Sequence, residues 1–298
     1  MKEIWKGRLD SFQKEDLRFW QIVTTAFEMK EESGVCFIGY DTDDGVKRNL
    51  GRPGAEKGSN SIRSAMKSYP IIENVKLYDF GNLENKKLEE AQEEYSDKIK
   101  IVLDKKNFPI GLGGGHDIAY GSYLGLRKAY PNKKIGVINF DTHLDMRDYS
   151  KGGTSGTSFK QILDSDKEAK YMIIGYKDIG NTERLREEAR KKGVIIIKEE
   201  YSDEYIYEEI QKFADSVDIL QVTFCMDVFD ASIAPGVSAP TILGLEGKRA
   251  IKMLRKILET KKVEITDIAE VNPYYDIDMR TAKLAGNIIY EIVQSKSS

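Results

Sequence analysis

The sequence predicts an α/β fold in which a parallel sheet is doubly wound, with helices on both faces. Three observations carry this. Short apolar, β-branched runs recur along the chain; they lack the strict alternation of half-exposed strands; and longer charged segments with helical periodicity separate them. In chain order the runs are Val35 to Tyr40, Val75 to Phe80, Ile110 to Gly113, Ile135 to Phe140, Tyr171 to Tyr176, Val194 to Lys198, Asp218 to Phe224 and Val263 to Glu270. Between them, Glu89 to Leu103, Asn181 to Gly193 and Leu245 to Lys262 place apolar residues on one helical stripe and charges on the other, as crossover helices require.

Residues 1–298 read as one domain, since no repeat, low-complexity tract or Pro/Ser linker divides them. With 40% hydrophobic and 32% charged residues the chain is globular rather than disordered. A net charge of -3 and the lack of a basic run interleaved with aromatics argue against nucleic acid as a partner. Neither a signal-peptide pattern nor a stretch of about 18 apolar residues occurs, so a cytoplasmic location without membrane contact is expected. Two cysteines, Cys36 and Cys225, do not make a disulfide framework.

Four polar clusters follow strand-like runs, where open α/β sheets bind their ligands. In Gly111 to Gly121, GLGGGHDIAYG, glycines allow a sharp turn before His116 and Asp117 enter a helix; alone, such a turn is structural more often than not. In Asn139 to Arg147, NFDTHLDMR, an extended backbone sends Asp141, His143 and Asp145 to one side, and two carboxylates around an imidazole suit a divalent cation. From Thr223 to Pro240, Cys225 and Asp227 share a face by the same alternation and Asp230 follows; the plain alternative is an acid capping a turn. Glu270 ends the last run, ahead of an Asn-Pro turn. Four such sites at one sheet edge point to a common centre. Its donors, two histidines among several aspartates, favour manganese over zinc, and so many carboxylates are better balanced by two cations than by one.

The segments GGGHD, DTHLD and MDVFDASIAPG resemble, in order and interval, the three metal motifs of the ureohydrolases, the arginase and agmatinase superfamily. The resemblance runs from about Gly39 to the C-terminus and implies a three-layer αβα fold with a mostly parallel central sheet of about eight strands. It implies two Mn2+ ions, one held by His116, Asp141, Asp145 and position 225, the other by Asp141, His143, Asp227 and position 225. It also suggests a homo-oligomer.

Within the superfamily, GYDTDDGVKRNLGRPGAEKGSNSIR (Gly39 to Arg63), DMRDYSKGGTSGTSFKQIL (Asp145 to Leu163) and PGVSAP resemble the formimidoylglutamase branch. The implied reaction is metal-dependent hydrolysis of N-formimidoyl-L-glutamate to L-glutamate and formamide, a step of histidine degradation, by metal-activated hydroxide. That substrate carries two carboxylates, for which Arg147, Arg48 and Arg52 are bidentate candidates, with Asn49 between the latter two; Arg48 and Arg52 are equally readable as surface residues. Glu270 is expected to orient the cationic C–N group and Asp145 to pass the proton to the departing nitrogen. The chain departs from the superfamily at Cys225, where an aspartate normally bridges both ions, and in the loop Gly152 to Ser158, which lacks arginase's proton-shuttling histidine. Two other readings stay open: an agmatinase or other guanidino-acid hydrolase, and a metal-poor inactive homologue acting as a binding or regulatory subunit.

Overall fold

The computed structural model describes residues 4–30, 33–83 and 86–297. Among these, nine strands form one sheet: β1 (Thr24–Thr25), β2 (Gly34–Tyr40), β3 (Lys76–Asn82), β4 (Phe108–Gly113), β5 (Ile135–Phe140), β6 (Lys170–Tyr176), β7 (Ile195–Lys198), β8 (Ile219–Cys225) and β9 (Val263–Ala269). Eight coincide with the eight apolar runs. The ninth, β1, is two residues long and beyond the reach of any periodicity argument.

The strand order is β1-β3-β2-β4-β9-β8-β5-β6-β7, and every neighbouring pair is parallel. Alternate residues of β2 and β5 feed two separate cores. Val35 and Phe37 of β2 and Ile138 and Phe140 of β5 join one core, with the helices Gly58–Met66, Asp203–Asp215, Gly247–Glu259 and Arg280–Gln294. Cys36, Ile38 and Tyr40, with Ile135 and Val137, join the other, under the helices Leu88–Asp104, Ile118–Ala129, Ser158–Ser165 and Glu183–Lys191. This is why the runs show no polar alternation: both faces are covered, and the result is the expected three-layer αβα arrangement.

The topology also places the crevice. β4 and β5 are consecutive in the chain, yet β9 and β8 lie between them. Loops leaving β4 and β5 therefore diverge at the carboxyl edge, the position where doubly wound sheets open a cavity. No helix among the described residues is long and apolar enough to cross a membrane.

Candidate metal centre

The four polar clusters leave the four adjacent central strands, β4, β9, β8 and β5, and meet over the carboxyl edge. Glu270, just past β9, donates its backbone N–H to Gly114 O at 2.8 Å, and Gly114 donates to Tyr40 O at 2.9 Å. A Cβ at Gly114 would lie 2.1 Å from Thr42 O, so only glycine lets the turn before His116 sit this close to its neighbour. His116 is thus held at the base of the crevice, buried, with its backbone N–H on Glu270 Oε1 at 3.1 Å.

Two groups of ligand-type atoms converge: His116, Asp141 and Cys225, and Asp141, His143 and Asp227, each within 4.8 Å. Asp141 belongs to both. The Nδ1 of His116 lies 2.9 Å from Asp141 Oδ2 and 3.0 Å from Asp145 Oδ2. The Nδ1 of His143 lies 3.4 Å from Asp141 Oδ1 and 3.3 Å from Asp227 Oδ2. Asp145 stands at the margin, against His116 but outside both groups.

The backbone does this differently from the extended run expected above. β5 ends at Phe140 and β8 at Cys225, and Asp227 occupies a 3-10 turn, Met226–Val228. Asp145 has φ 45°, a left-handed conformation that turns its carboxylate back toward His116; Glu270, at φ 68°, does the same. Convergence therefore comes from bends and not from strand alternation. Asn181 secures the bend, accepting from Leu144 N at 2.9 Å and donating to Thr142 O at 2.8 Å. On the far side of the loop, Gly180 packs flat on His143, where a Cβ would stand 3.0 Å from the ring.

The electrostatics are those of a cluster assembled around positive charge. Burial opposes charge on His116, but Asp141 and Asp145 hold its pKa well above the usual value. Burial likewise opposes charge on His143, and Asp227 and Asp141 push it up to about 12. Burial works to raise Asp141, yet hydrogen bonds from His116 and His143 keep it well below the usual carboxylate range. Burial and the charge of Asp141 raise Asp145 and Asp227, and burial with Asp227 lifts Glu270 to about 8. The Cys225 thiol is raised by burial and by Asp141 and Asp227. Imidazolium protons thus stand where cations would, and cation uptake is an exchange of ions for protons that higher pH favours. Asp227 Oδ1 and Glu270 Oε2 are buried without a hydrogen-bond partner. Imidazole nitrogens, carboxylates and an orphaned carboxylate oxygen on one small volume fit a divalent cation.

The cluster floors a cavity of about 290 Å³ whose walls include Asn49, Arg52, Arg147, Ser155, Asn181 and Ser238. Of the expected substrate residues, Asn49 and Arg147 face it; Arg147 is exposed, and its guanidinium has no ion pair or hydrogen bond among the described residues. Arg52 also lines it, but its Nε and Nη2 hold Ser238 O and Val237 O at 2.9 and 2.6 Å, so it chiefly anchors the PGVSAP loop. Arg48 takes the surface reading: its guanidinium is paired with Asp44 at 2.8 Å and with Glu89, outside the cavity lining. Asp230 takes the turn-capping reading, accepting from Ser232 N at 2.9 Å. Asn181 and Ser155 went unnoticed in the sequence because no motif or spacing distinguishes them from ordinary loop polar residues.

The arginase family model matches residues 33–294. The chain belongs to the arginase family. Among curated relatives in that family, the formimidoylglutamase of Macrococcus caseolyticus is 40% identical, covering 100% of this chain and 97% of the relative. The formimidoylglutamase of Fusobacterium nucleatum is 37% identical, covering 97% and 96%. The Trypanosoma cruzi formiminoglutamase solved with Mn2+ superimposes with a TM-score of 0.83 at 26% identity, covering 95% of this chain and 99% of that one. These likenesses agree with the three-layer αβα fold built on a parallel sheet.

Proposed function

We propose that this chain hydrolyses N-formimidoyl-L-glutamate to L-glutamate and formamide, the histidine-degradation reaction for which its full-length relatives are named. The observation that carries the reading within this chain is the pairing of a cation-type cluster on the cavity floor with the unpartnered Arg147 at its wall. A guanidinium is a planar bidentate match for a carboxylate, which formimidoylglutamate has and agmatine lacks.

Two Mn2+ ions are proposed, with His116, Asp141, Asp145 and Cys225 as ligands for one and Asp141, His143, Asp227 and Cys225 for the other. Bound there, divalent ions supply a water acidic enough to act as nucleophile near neutral pH. The positive charge of the C–N group offsets the burial and the Asp227 charge that hold Glu270 up, so that its ionised Oε2, otherwise unpaired, accepts hydrogen bonds from that group and orients its carbon over the cluster. Asp145 accepts the proton that the attacking water loses and passes it to the departing nitrogen, so that the C–N bond to glutamate breaks as the free amine forms. Asn49, beside Arg147 across Gly156, adds a polar contact for the substrate tail.

Assay of formimidoylglutamate, agmatine, arginine and guanidinobutyrate side by side, reading formamide against urea, tests the assignment. Release of formamide from formimidoylglutamate alone is expected; turnover of agmatine alone overturns it. At position 225 a thiolate is a softer ligand than manganese prefers. Cys225→Asp is therefore expected to retain the second ion through dialysis better than the natural chain, measured by elemental analysis. Equal retention would show that the site accepts either residue.

A further inference from the structure

Behind His116, away from the cavity, lies a buried polar chain that the hydrolytic reading does not use. Thr223 on β8 and Asp267 on β9 are directly opposite in the ladder, and both are fully buried. Asp267 sits mid-strand, two residues before the strand's end, where a carboxylate has no water to solvate it. Three donors supply the replacement. Thr223 Oγ1 donates to Asp267 Oδ1, Ser122 Oγ donates to Oδ2 at 2.8 Å, and Gln221 Nε2 approaches Oδ2 at 3.5 Å. His116 Nε2 then lies 3.0 Å from Thr223 Oγ1.

The direction of this chain follows from donor counting. Asp267 accepts from Thr223 on Oδ1 and from Ser122 on Oδ2, so the single Thr223 hydroxyl proton points at Asp267. Thr223 Oγ1 is left to accept, and the imidazole proton must be on Nε2. Nδ1 is then the nitrogen that gives up its proton when a cation is taken up, and it is the one aimed at Asp141 and Asp145.

We propose that Thr223 and Asp267 are positioning residues that fix the His116 proton on Nε2 and so present Nδ1 to the cation. The inference rests on the metal-centre reading above. Ligating histidines depend on such a partner for ring orientation and basicity, and losing it weakens metal affinity by about 10–100-fold.

The test is Mn2+ binding to metal-stripped protein, read from the paramagnetic resonance of the free ion, with melting of the metal-free protein as the fold control. Thr223→Val keeps the shape but removes the acceptor and should weaken the affinity by about 10–100-fold; Thr223→Ser should restore it. Asp267→Asn should weaken it at least as much. An amide donating to Thr223 would turn the hydroxyl toward Nε2 and drive the imidazole proton onto Nδ1. Variants that bind Mn2+ like the natural chain overturn the relay. A natural chain that binds no Mn2+ overturns the metal reading instead, so the two failures are distinguishable. Should the valine and asparagine variants not fold, the natural chain decides: with nitrogen-15 histidine and diamagnetic Zn2+, a slowly exchanging Nε2–H is expected from the buried ring. Its absence overturns the relay.

Discussion

Asp141→Ala is expected to empty the centre of cations and to lower turnover by about 10³-fold or more, the scale seen when a residue on which a whole catalytic unit depends is removed. Asp141 belongs to both groups of converging ligand-type atoms among the described residues, and it is fully buried. Its Oδ1 accepts the His143 backbone N–H at 2.7 Å while Oδ2 faces His116, and Asn139 Nδ2 approaches Oδ2 at 3.4 Å, so its two oxygens reach opposite halves of the cluster. Alanine leaves each histidine with half of its carboxylates. Elemental analysis after manganese loading, beside a kinetic assay and a melting curve, checks this. A folded variant with bound metal and more than a tenth of normal turnover would contradict the assignment.

Glu270→Gln should cost about 10²–10³-fold in kcat while leaving metal content unchanged, as expected for a lost charge that acts on the transition state. The amide retains an oxygen for the His116 backbone N–H, so the turn is preserved. Its other end becomes an N–H2 donor facing a cationic group, where Glu270 Oε2 now offers an unshared acceptor. Metal occupancy separates this from a structural effect. A kcat within about threefold of normal would remove Glu270 from the mechanism.

How much of this the sequence disclosed depended on distance along the chain. The eight longer strands are legible because burial on two faces writes itself as contiguous apolar residues. His116, Asp141, His143, Cys225 and Asp227 are legible because each follows such a run within a few residues. Thr223 and Asp267 are not, since their pairing is a product of the β8–β9 register, and a buried strand aspartate reads as an interruption. Arg48 was open to two readings because its partner Glu89 belongs to a helix that only the fold brings alongside. Asp145 was placed correctly near the centre for an incorrect reason: spacing suggested a strand, and a left-handed turn delivers the side chain.

That turn has a consequence for the evolution of the chain. Asp145 and Glu270 both sit at positive φ, with the former's loop tied down by Asn181 and the latter's by Gly114. A residue bearing a Cβ in this conformation is disfavoured by about 1–2 kcal/mol relative to glycine. Selection for thermal endurance alone would drift both positions toward glycine or asparagine. Acids at 145 and 270 therefore set a ceiling on how far the scaffold can be rigidified before its chemistry is traded away.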